Sequence, residues 1–318
     1  MVGPDAIAAA VSALRAGGVI GLPTETVYGL AGDAANPAAI ARIFAIKGRP
    51  ASHPVIVHLA DAAHVSQWAR DVPLVAAALI DRFWPGPLTL VLPCAASVLP
   101  AVTGGQDTVA VRMPAHPVAL AVLGAFGGGL AAPSANRYGR ISPTTAAHVR
   151  ADLGDDVGIV LDGGPSDVGL ESTIVACLEG GVSLLRPGRI TRAAIETVAG
   201  PLSEQLQAVP RVPGSIASHY APQTPVELVD APALRAAAGG HAAAGRRAAV
   251  LTPAPPPDMP LAAAIVASAD ADTYGQALYG HLRTLDGAGA DVILIARPPG
   301  SPDWAAVNDR LARAAAGR

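Results

Sequence analysis

Two hydroxyls and a carboxylate stand together in Pro23-Thr24-Glu25-Thr26-Val27-Tyr28-Gly29-Leu30, directly after an apolar run. Hydroxyls at a strand end, carried on a glycine-bearing turn, suit a small polar ligand or phosphate oxygens. The same letters also suit a cap on a helical turn, with Thr24 or Thr26 as the capping residue. On this segment alone both readings stay open. Lys47-Gly48-Arg49-Pro50 comes next, closing a helical stretch that begins at Asn36. Cations in a last turn complement the carbonyl end of a helix. Yet the chain has 21 Arg and a single Lys, and Arg would serve a helix end equally well. A compact ammonium with three donors suits a phosphate in a way a planar guanidinium does not. Arg49 could then grip a second anionic group.

His53 and His58 flank a strand-like run over 54–57. No HxH, HExxH or CxxC spacing accompanies them, so the reading is of packed or surface histidines and no metal site. Thr108, Ala110 and Arg112 share one strand face by period two, and a cation ending an apolar strand expects an anion. Ser134 and Asn136 share a face in the same way. Ser142-Pro143-Thr144-Thr145 reads as a helix start, Glu171-Ser172-Thr173 precedes a strand, and Arg186 ends another. Nothing matches GxSxG, GxxxxGK[ST] or a Ser/His/Asp set. Hydroxyls and cations at strand ends suit anionic substrates that are held and neutralised rather than attacked.

The elements that must position these groups alternate. Helical patterns are expected over 5–16, 36–46, 73–83, 117–123, 144–152 and 191–198. Strands are expected over 18–22, 54–59, 88–92, 108–112, 130–132, 159–162, 173–178 and 182–185. This is an α/β domain over residues 1–202 with a mixed sheet. A Pro-rich linker over 203–225 lacks periodicity. A smaller parallel, Rossmann-like α/β domain then occupies 226–318, with strands at 226–229, 248–251, 263–267 and 292–295. It carries no GxGxxG, so no dinucleotide site is expected there.

Composition narrows the function classes. The 318 residues carry 22 basic and 25 acidic side chains, a net charge of −3, with 15% charged and 51% hydrophobic residues. Such a chain is neither disordered nor a basic coat for nucleic acid. Three Phe, three Trp and five Tyr are too few for a base-stacking platform. Cys94 and Cys177 lie far apart in apolar runs and read as buried free thiols. The N-terminal stretch lacks a basic leader, and no apolar run reaches the length of a membrane span. A soluble cytoplasmic protein without membrane contact is expected.

Taken in order, PTETVYGL (23–30), IKGRP with PVIVHL (46–59), FWPGPLTLVLP (83–93), TVAVRMP (108–114), APSAN with SPTT (132–145), ESTIV (171–175), RPG (186–188) and HYAP (219–222) resemble the YrdC/Sua5 family of threonylcarbamoyl-AMP synthases. The C-terminal region resembles its longer, Sua5-type members. The resemblance implies a twisted mixed sheet with a concave active site. It also implies formation of threonylcarbamoyl-AMP and pyrophosphate from L-threonine, bicarbonate and ATP, with Mg²⁺ accompanying the ATP. The product would serve the t6A modification at adenosine 37 of tRNAs reading ANN codons, through a transfer machinery and with weak tRNA contact at most.

By the same resemblance, Lys47, Arg49, Ser134 and Asn136 form the KxR…SxN signature, with Lys47 and Arg49 catalytic. Arg49, His53, Thr108, Ser134, Asn136, Ser142, Arg186 and Tyr220 would contact ATP, Tyr220 reaching back from a lid-like linker. Thr26, His58, Arg112, Ala132 and Ser172 would bind L-threonine. His53 stands where the family usually has Asn, and the linker sequence VPGSIASHYAP (212–222) is less basic than in many members. The competing expectation is a non-catalytic module of this fold that binds tRNA or double-stranded RNA. A carbamoyltransferase of hydrogenase maturation would need cysteine clusters that this chain lacks.

Overall fold

The computed structural model describes residues 2–203, 210–214 and 219–316; parts of the expected linker, 204–209 and 215–218, lie outside the described residues. The chain forms two compact units, Met1–Tyr138 with Pro143–Ser215, and Gly139–Ser142 with Ile216–Arg318.

The first unit contains β1 (Ile20–Leu22), β2 (Gly29–Asp33), β3 (Ile56–His58), β4 (Leu88–Pro93), β5 (Thr108–Arg112), β6 (Leu130–Ala131), β7 (Ile159–Val160), β8 (Thr173–Leu178) and β9 (Gly181–Arg186). They form one mixed sheet in the order β7-β1-β2-β6-β3-β5-β4-β8-β9. Its helices are α1 (Pro4–Arg15), α2 (Pro37–Lys47), α3 (Leu74–Phe83), α4 (Pro100–Thr103), α5 (Pro117–Phe126), α6 (Ala146–Leu153) and α7 (Arg192–Ala199). Local chemistry sets their ends. Asn36 Oδ1 accepts from the Ala38 amide at 2.9 Å, Pro37 opens α2, and Gly48 stops it in the left-handed region at φ 63°. The helix therefore ends with Lys47 as its last residue.

Three differences from the sequence reading matter. The strand β2 was not expected, because Gly29-Leu30-Ala31-Gly32-Asp33 has poor strand propensity. It forms where side chains would not fit: a Cβ at Gly32 would stand 3.1 Å from Ile43, and one at Gly29 3.0 Å from Ala132. The helical-cap reading of residues 23–30 is also not realised, since that segment runs as a loop into β2. Cys177 is buried, with its thiol pushed up to about 12 by burial, but Cys94 is only half-buried, and both are free.

Alternation along the central strands divides the sheet into two faces. Val57, Leu88, Leu90, Leu92, Val109, Val111 and Val175 enter the main core, which α2, α3, α6 and α7 cover with Ile40, Ile43, Leu79, Val149 and Ile195. Ile56, Val91, Ala110, Ile174 and Ala176 form a smaller cluster from the alternate positions, joined by Val212. The α1 and α5 helices pack Leu14, Val122 and Leu123 against Ile20, Leu22 and Leu130.

The second unit is a parallel sheet of β10 (Val226–Val229), β11 (Ala248–Thr252), β12 (Ala263–Val266) and β13 (Val292–Ala296), ordered β10-β13-β11-β12. Its helices are α8 (Leu234–Ala243), α9 (Ala271–Asp286) and α10 (Ala305–Ala315). Among the described residues no helix is long and apolar enough to cross a membrane.

Leu90 is fully buried in the main core on β4. Leu90→Ala is expected to lower stability by about 2–5 kcal/mol, read as a lower midpoint in equilibrium urea unfolding.

Candidate active site

The alternate face of the central strands carries the polar groups. His58 pairs in register with Arg112 across β3 and β5, and Leu90 pairs with Val111 across β4 and β5. One residue further along, Thr89 falls opposite Arg112. Its Oγ1 lies 2.7 Å from Ser172 Oγ, just before β8. His58, Arg112, Thr89 and Ser172 thus make a row across four adjacent strands, above the small apolar cluster of Ile56, Val91, Ala110 and Ile174. Thr89 was missed in the sequence reading; a lone hydroxyl within Leu88-Thr89-Leu90-Val91 was its signal.

The PTETVYGL loop reaches this row. Thr26 Oγ1 accepts from Arg112 Nη1 at 2.8 Å and lies 2.9 Å from Thr24 Oγ1. Arg112 Nη2 donates to Glu25 Oε1 at 2.6 Å, a buried ion pair, and Arg112 Nε donates to the Gly86 carbonyl at 3.2 Å. Glu25 is the second residue that sequence reasoning left without a role. Its partner lies 87 positions away, so no local spacing announces the pair. His58 is buried, and burial together with the Arg112 charge pulls its pKa down to about 3. It is a neutral imidazole at neutral pH.

Lys47 closes α2 and is almost wholly buried, at 3% exposure. Its Nζ donates to the Ser134 carbonyl at 2.5 Å and to the Asn136 carbonyl at 2.6 Å, rather than to carbonyls of its own helix. The KxR and SxN pieces are therefore one hydrogen-bonded knot, made through the backbone of Ser134 and Asn136. That segment is itself fixed, because Leu30 N donates to Pro133 O and Ala135 N to Tyr28 O. Burial, then the neighbouring Arg49 charge, hold the Lys47 pKa well below that of a free lysine. The two short bonds act the other way and favour the ammonium. Of its three N–H donors, two are used by these carbonyls.

Arg49 Nη2 donates to the Pro54 carbonyl at 2.7 Å, and its guanidinium lies 5.9 Å from the Tyr138 ring centre. The Tyr138 hydroxyl is 3.0 Å from His53 Nδ1, and burial with the nearby Arg49 charge lowers the His53 pKa. Thr108 opens β5, about 13 Å along the strand from Arg112. Arg49, bonded at the start of β3, and Thr108 therefore lie toward one end of the parallel pair, and His58 and Arg112 toward the other. Arg186 donates from Nε and Nη2 to the Ser172 carbonyl at 3.0 and 2.9 Å, and from Nη1 to Pro213 O at 2.8 Å. It also reaches Ser172 Oγ at 3.1 Å, so Ser172 joins Arg186 to the row. Ala132 is buried, and its amide donates to Ile56 O.

Ser142 and Tyr220 belong to the second unit. Ser142 is buried. Tyr220 is buried in a left-handed conformation at φ 61°, with Arg310 over its ring at 5.3 Å and Tyr279 at 5.8 Å. Ala221 N donates to Gly139 O at 2.9 Å, tying the HYAP segment to the 139–142 stretch.

Residues 12–188 match the Sua5/YciO/YrdC family model, described as "Telomere recombination", and residues 190–316 match "Threonylcarbamoyl-AMP synthase, C-terminal domain". The chain belongs to the Sua5/YciO/YrdC family. Within it, a Bacillus subtilis (strain 168) threonylcarbamoyl-AMP synthase is 40% identical over 98% of this chain and 93% of its own length. A Pyrococcus abyssi threonylcarbamoyl-AMP synthase is 43% identical over 69% of this chain and 66% of its own. The solved structure of P. abyssi Sua5 complexed with L-threonine superposes with a TM-score of 0.91 at 35% identity, covering 97% of this chain and 94% of that one. The mixed sheet, the separate parallel domain and the family expected from the motifs all agree with these Sua5 relatives.

A depressed His58 pKa carries a sign. Only the unfolded chain takes up this proton between about pH 6.5 and 3, so the His58 contribution to stability is intact above 6.5 and declines as pH falls toward 3. Equilibrium urea unfolding from pH 7.5 to 4 should show a shallower acid loss for His58→Gln than for the parent, by up to about 1.4 kcal/mol per pH unit.

Proposed function

We propose that this protein is a threonylcarbamoyl-AMP synthase, forming the adenylate and pyrophosphate from L-threonine, bicarbonate and ATP. The observation that carries the reading is the pairing of two charged sites on one scaffold. Lys47, two residues before Arg49, is knotted to the Ser134–Asn136 segment, and Arg112, bonded to Thr26, sits in the row of His58, Thr89 and Ser172 across the sheet. Full-length similarity to synthases supports the reaction, and the threonine-bound relative supports the amino acid.

In this reading, threonine's carboxylate meets Arg112, its side-chain hydroxyl lies within reach of Thr26, His58 and Ser172, and Ala132 offers backbone contacts. The triphosphate lies toward Lys47 and Arg49, with Thr108, Ser134, Asn136 and Arg186 as further ATP contacts. His53 takes the position of the usual Asn contact. The amine combines with bicarbonate, losing water, to give a carbamate. A carbamate oxygen bonds to the α-phosphorus as the bond to the bridging oxygen breaks, and pyrophosphate leaves with that electron pair. The protein positions two anions and offsets their charge, which the remaining Lys47 N–H and the guanidinium of Arg49 are suited to do. A phosphate beside Lys47 also restores the proton that burial disfavours.

Mg²⁺ would arrive coordinated to ATP. In that form its ligands would be phosphate oxygens and water. The product would pass to a transfer machinery that modifies adenosine 37 of tRNA in the cytoplasm. A purely RNA-binding role fits less well. Lys47, Arg49, Arg112 and Arg186 are all buried, whereas a phosphate backbone is met by exposed cations.

Incubation with ATP, L-threonine, bicarbonate and Mg²⁺ should release pyrophosphate and threonylcarbamoyl-AMP in a threonine-dependent manner, detected by mass spectrometry. Lys47→Ala should lower turnover at least about a hundredfold. Lys47→Arg should also be strongly impaired, because a planar fork does not fit between two carbonyls that hold a compact ammonium. RNA binding without adenylate formation would overturn the reading.

A further inference from the structure

The Arg112–Glu25 pair leaves one chemical loose end. Glu25 Oε1 is bonded to Arg112, but Oε2 is buried with no hydrogen-bond partner, and the residue as a whole is 6% exposed. A buried carboxylate oxygen left unsatisfied is costly, and where a native chain keeps one, a ligand donor is the economical explanation. His58, paired in register with Arg112, also has a buried Nδ1 without a hydrogen-bond partner. The loop that carries Glu25 is not free to swing away. Its carbonyl accepts from Val168 N at 2.7 Å, and the adjoining Thr24 carbonyl accepts from Ser166 Oγ at 2.9 Å.

Charge points to the kind of donor. Arg112 alone would present a positive site, suited to any carboxylate. Arg112 and Glu25 together are neutral overall and strongly dipolar, the complement of a zwitterion laid against them head to tail. Arg112 spends three of its five N–H donors on Gly86, Thr26 and Glu25, which leaves two for a ligand carboxylate. The carboxylate oxygen beside them can accept only from an N–H or O–H, and an α-ammonium is the donor adjacent to an α-carboxylate.

We propose that Glu25 binds the α-ammonium of the amino-acid substrate through Oε2 while holding Arg112 through Oε1. Glu25 is thereby the residue that selects an α-amino acid over the corresponding hydroxy acid. The inference rests on the amino-acid site proposed above. It names a contact outside the threonine-site set of Thr26, His58, Arg112, Ala132 and Ser172. The carbamate that forms keeps one N–H, so the same oxygen can hold the nitrogen before and after carboxylation.

Titration calorimetry without bicarbonate tests it, using L-threonine and 2,3-dihydroxybutyrate of the same configuration, which exchanges only the amine for a hydroxyl. The wild-type protein should prefer L-threonine by about tenfold or more, the scale of one charge-assisted hydrogen bond. Glu25→Gln should lose most of that preference, raise KM for threonine with little change in KM for ATP, and melt within a few degrees of the parent. Glu25→Asp should retain part of the preference. If Glu25→Gln weakens both ligands equally, Glu25 only holds Arg112 and the assignment is overturned. A wild-type protein that binds both compounds equally overturns it without any variant. A wild-type protein that binds ATP but neither compound defeats the amino-acid reading itself.

Discussion

Everything at this site depends on how buried cations are kept soluble in protein. Lys47, Arg49, Arg112 and Arg186 are each less than a tenth exposed, and an unpaired buried charge is among the costliest features a fold can carry. Backbone carbonyls carry most of the load. Ser134 and Asn136 serve Lys47, Pro54 serves Arg49, Gly86 serves Arg112, and Ser172 with Pro213 serves Arg186. Carbonyl dipoles solvate a cation without cancelling its charge. Lys47, held by two carbonyls, therefore keeps an attraction for phosphate. Arg112 is in addition bonded to Glu25, and it is the one proposed to meet a zwitterion rather than a polyanion.

The sheet converts that arrangement into a site. Alternation places Leu88, Leu90, Leu92, Val109 and Val111 of β4 and β5 under the helices and leaves Thr89, Val91, Thr108, Ala110 and Arg112 on the other face. Parallel register of β3 and β5 sets His58 beside Arg112, and antiparallel register of β4 continues the row to Thr89 and Ser172. The length of β5 separates Thr108 from Arg112, so the proposed nucleotide and amino-acid ends lie apart on one strand. Glycine takes part through absence of bulk. A Cβ at Gly188 would stand 2.4 Å from Thr173 N and 2.8 Å from the Ser172 carbonyl carbon, directly against the Arg186–Ser172 contact.

Much of this was legible before any coordinates. The strands at 108–112, 173–178 and 226–229 fall where β-branched runs bounded by Gly and Pro place them. The end of α2 at Lys47 follows from Asn36, Pro37 and Gly48. The lone lysine pointed to a residue of special chemistry. β2 was not legible, because its strand is imposed by close packing against Ile43, Val19 and Ala132 rather than by propensity. Thr89 was visible as a break in an apolar run but had no partner in sequence.

Motif order, period and capping are properties of neighbouring positions, so the family, the two α/β architectures and the cationic residues are written in the chain. Which groups meet is a property of the packed fold. Lys47 with the carbonyls of Ser134 and Asn136, 87 and 89 positions away, and Arg112 with Glu25, 87 positions away, are contacts that no local pattern encodes. The physical reason is that a buried charge is compensated by whatever the fold brings within about 3 Å, and sheet order, not chain order, makes that choice.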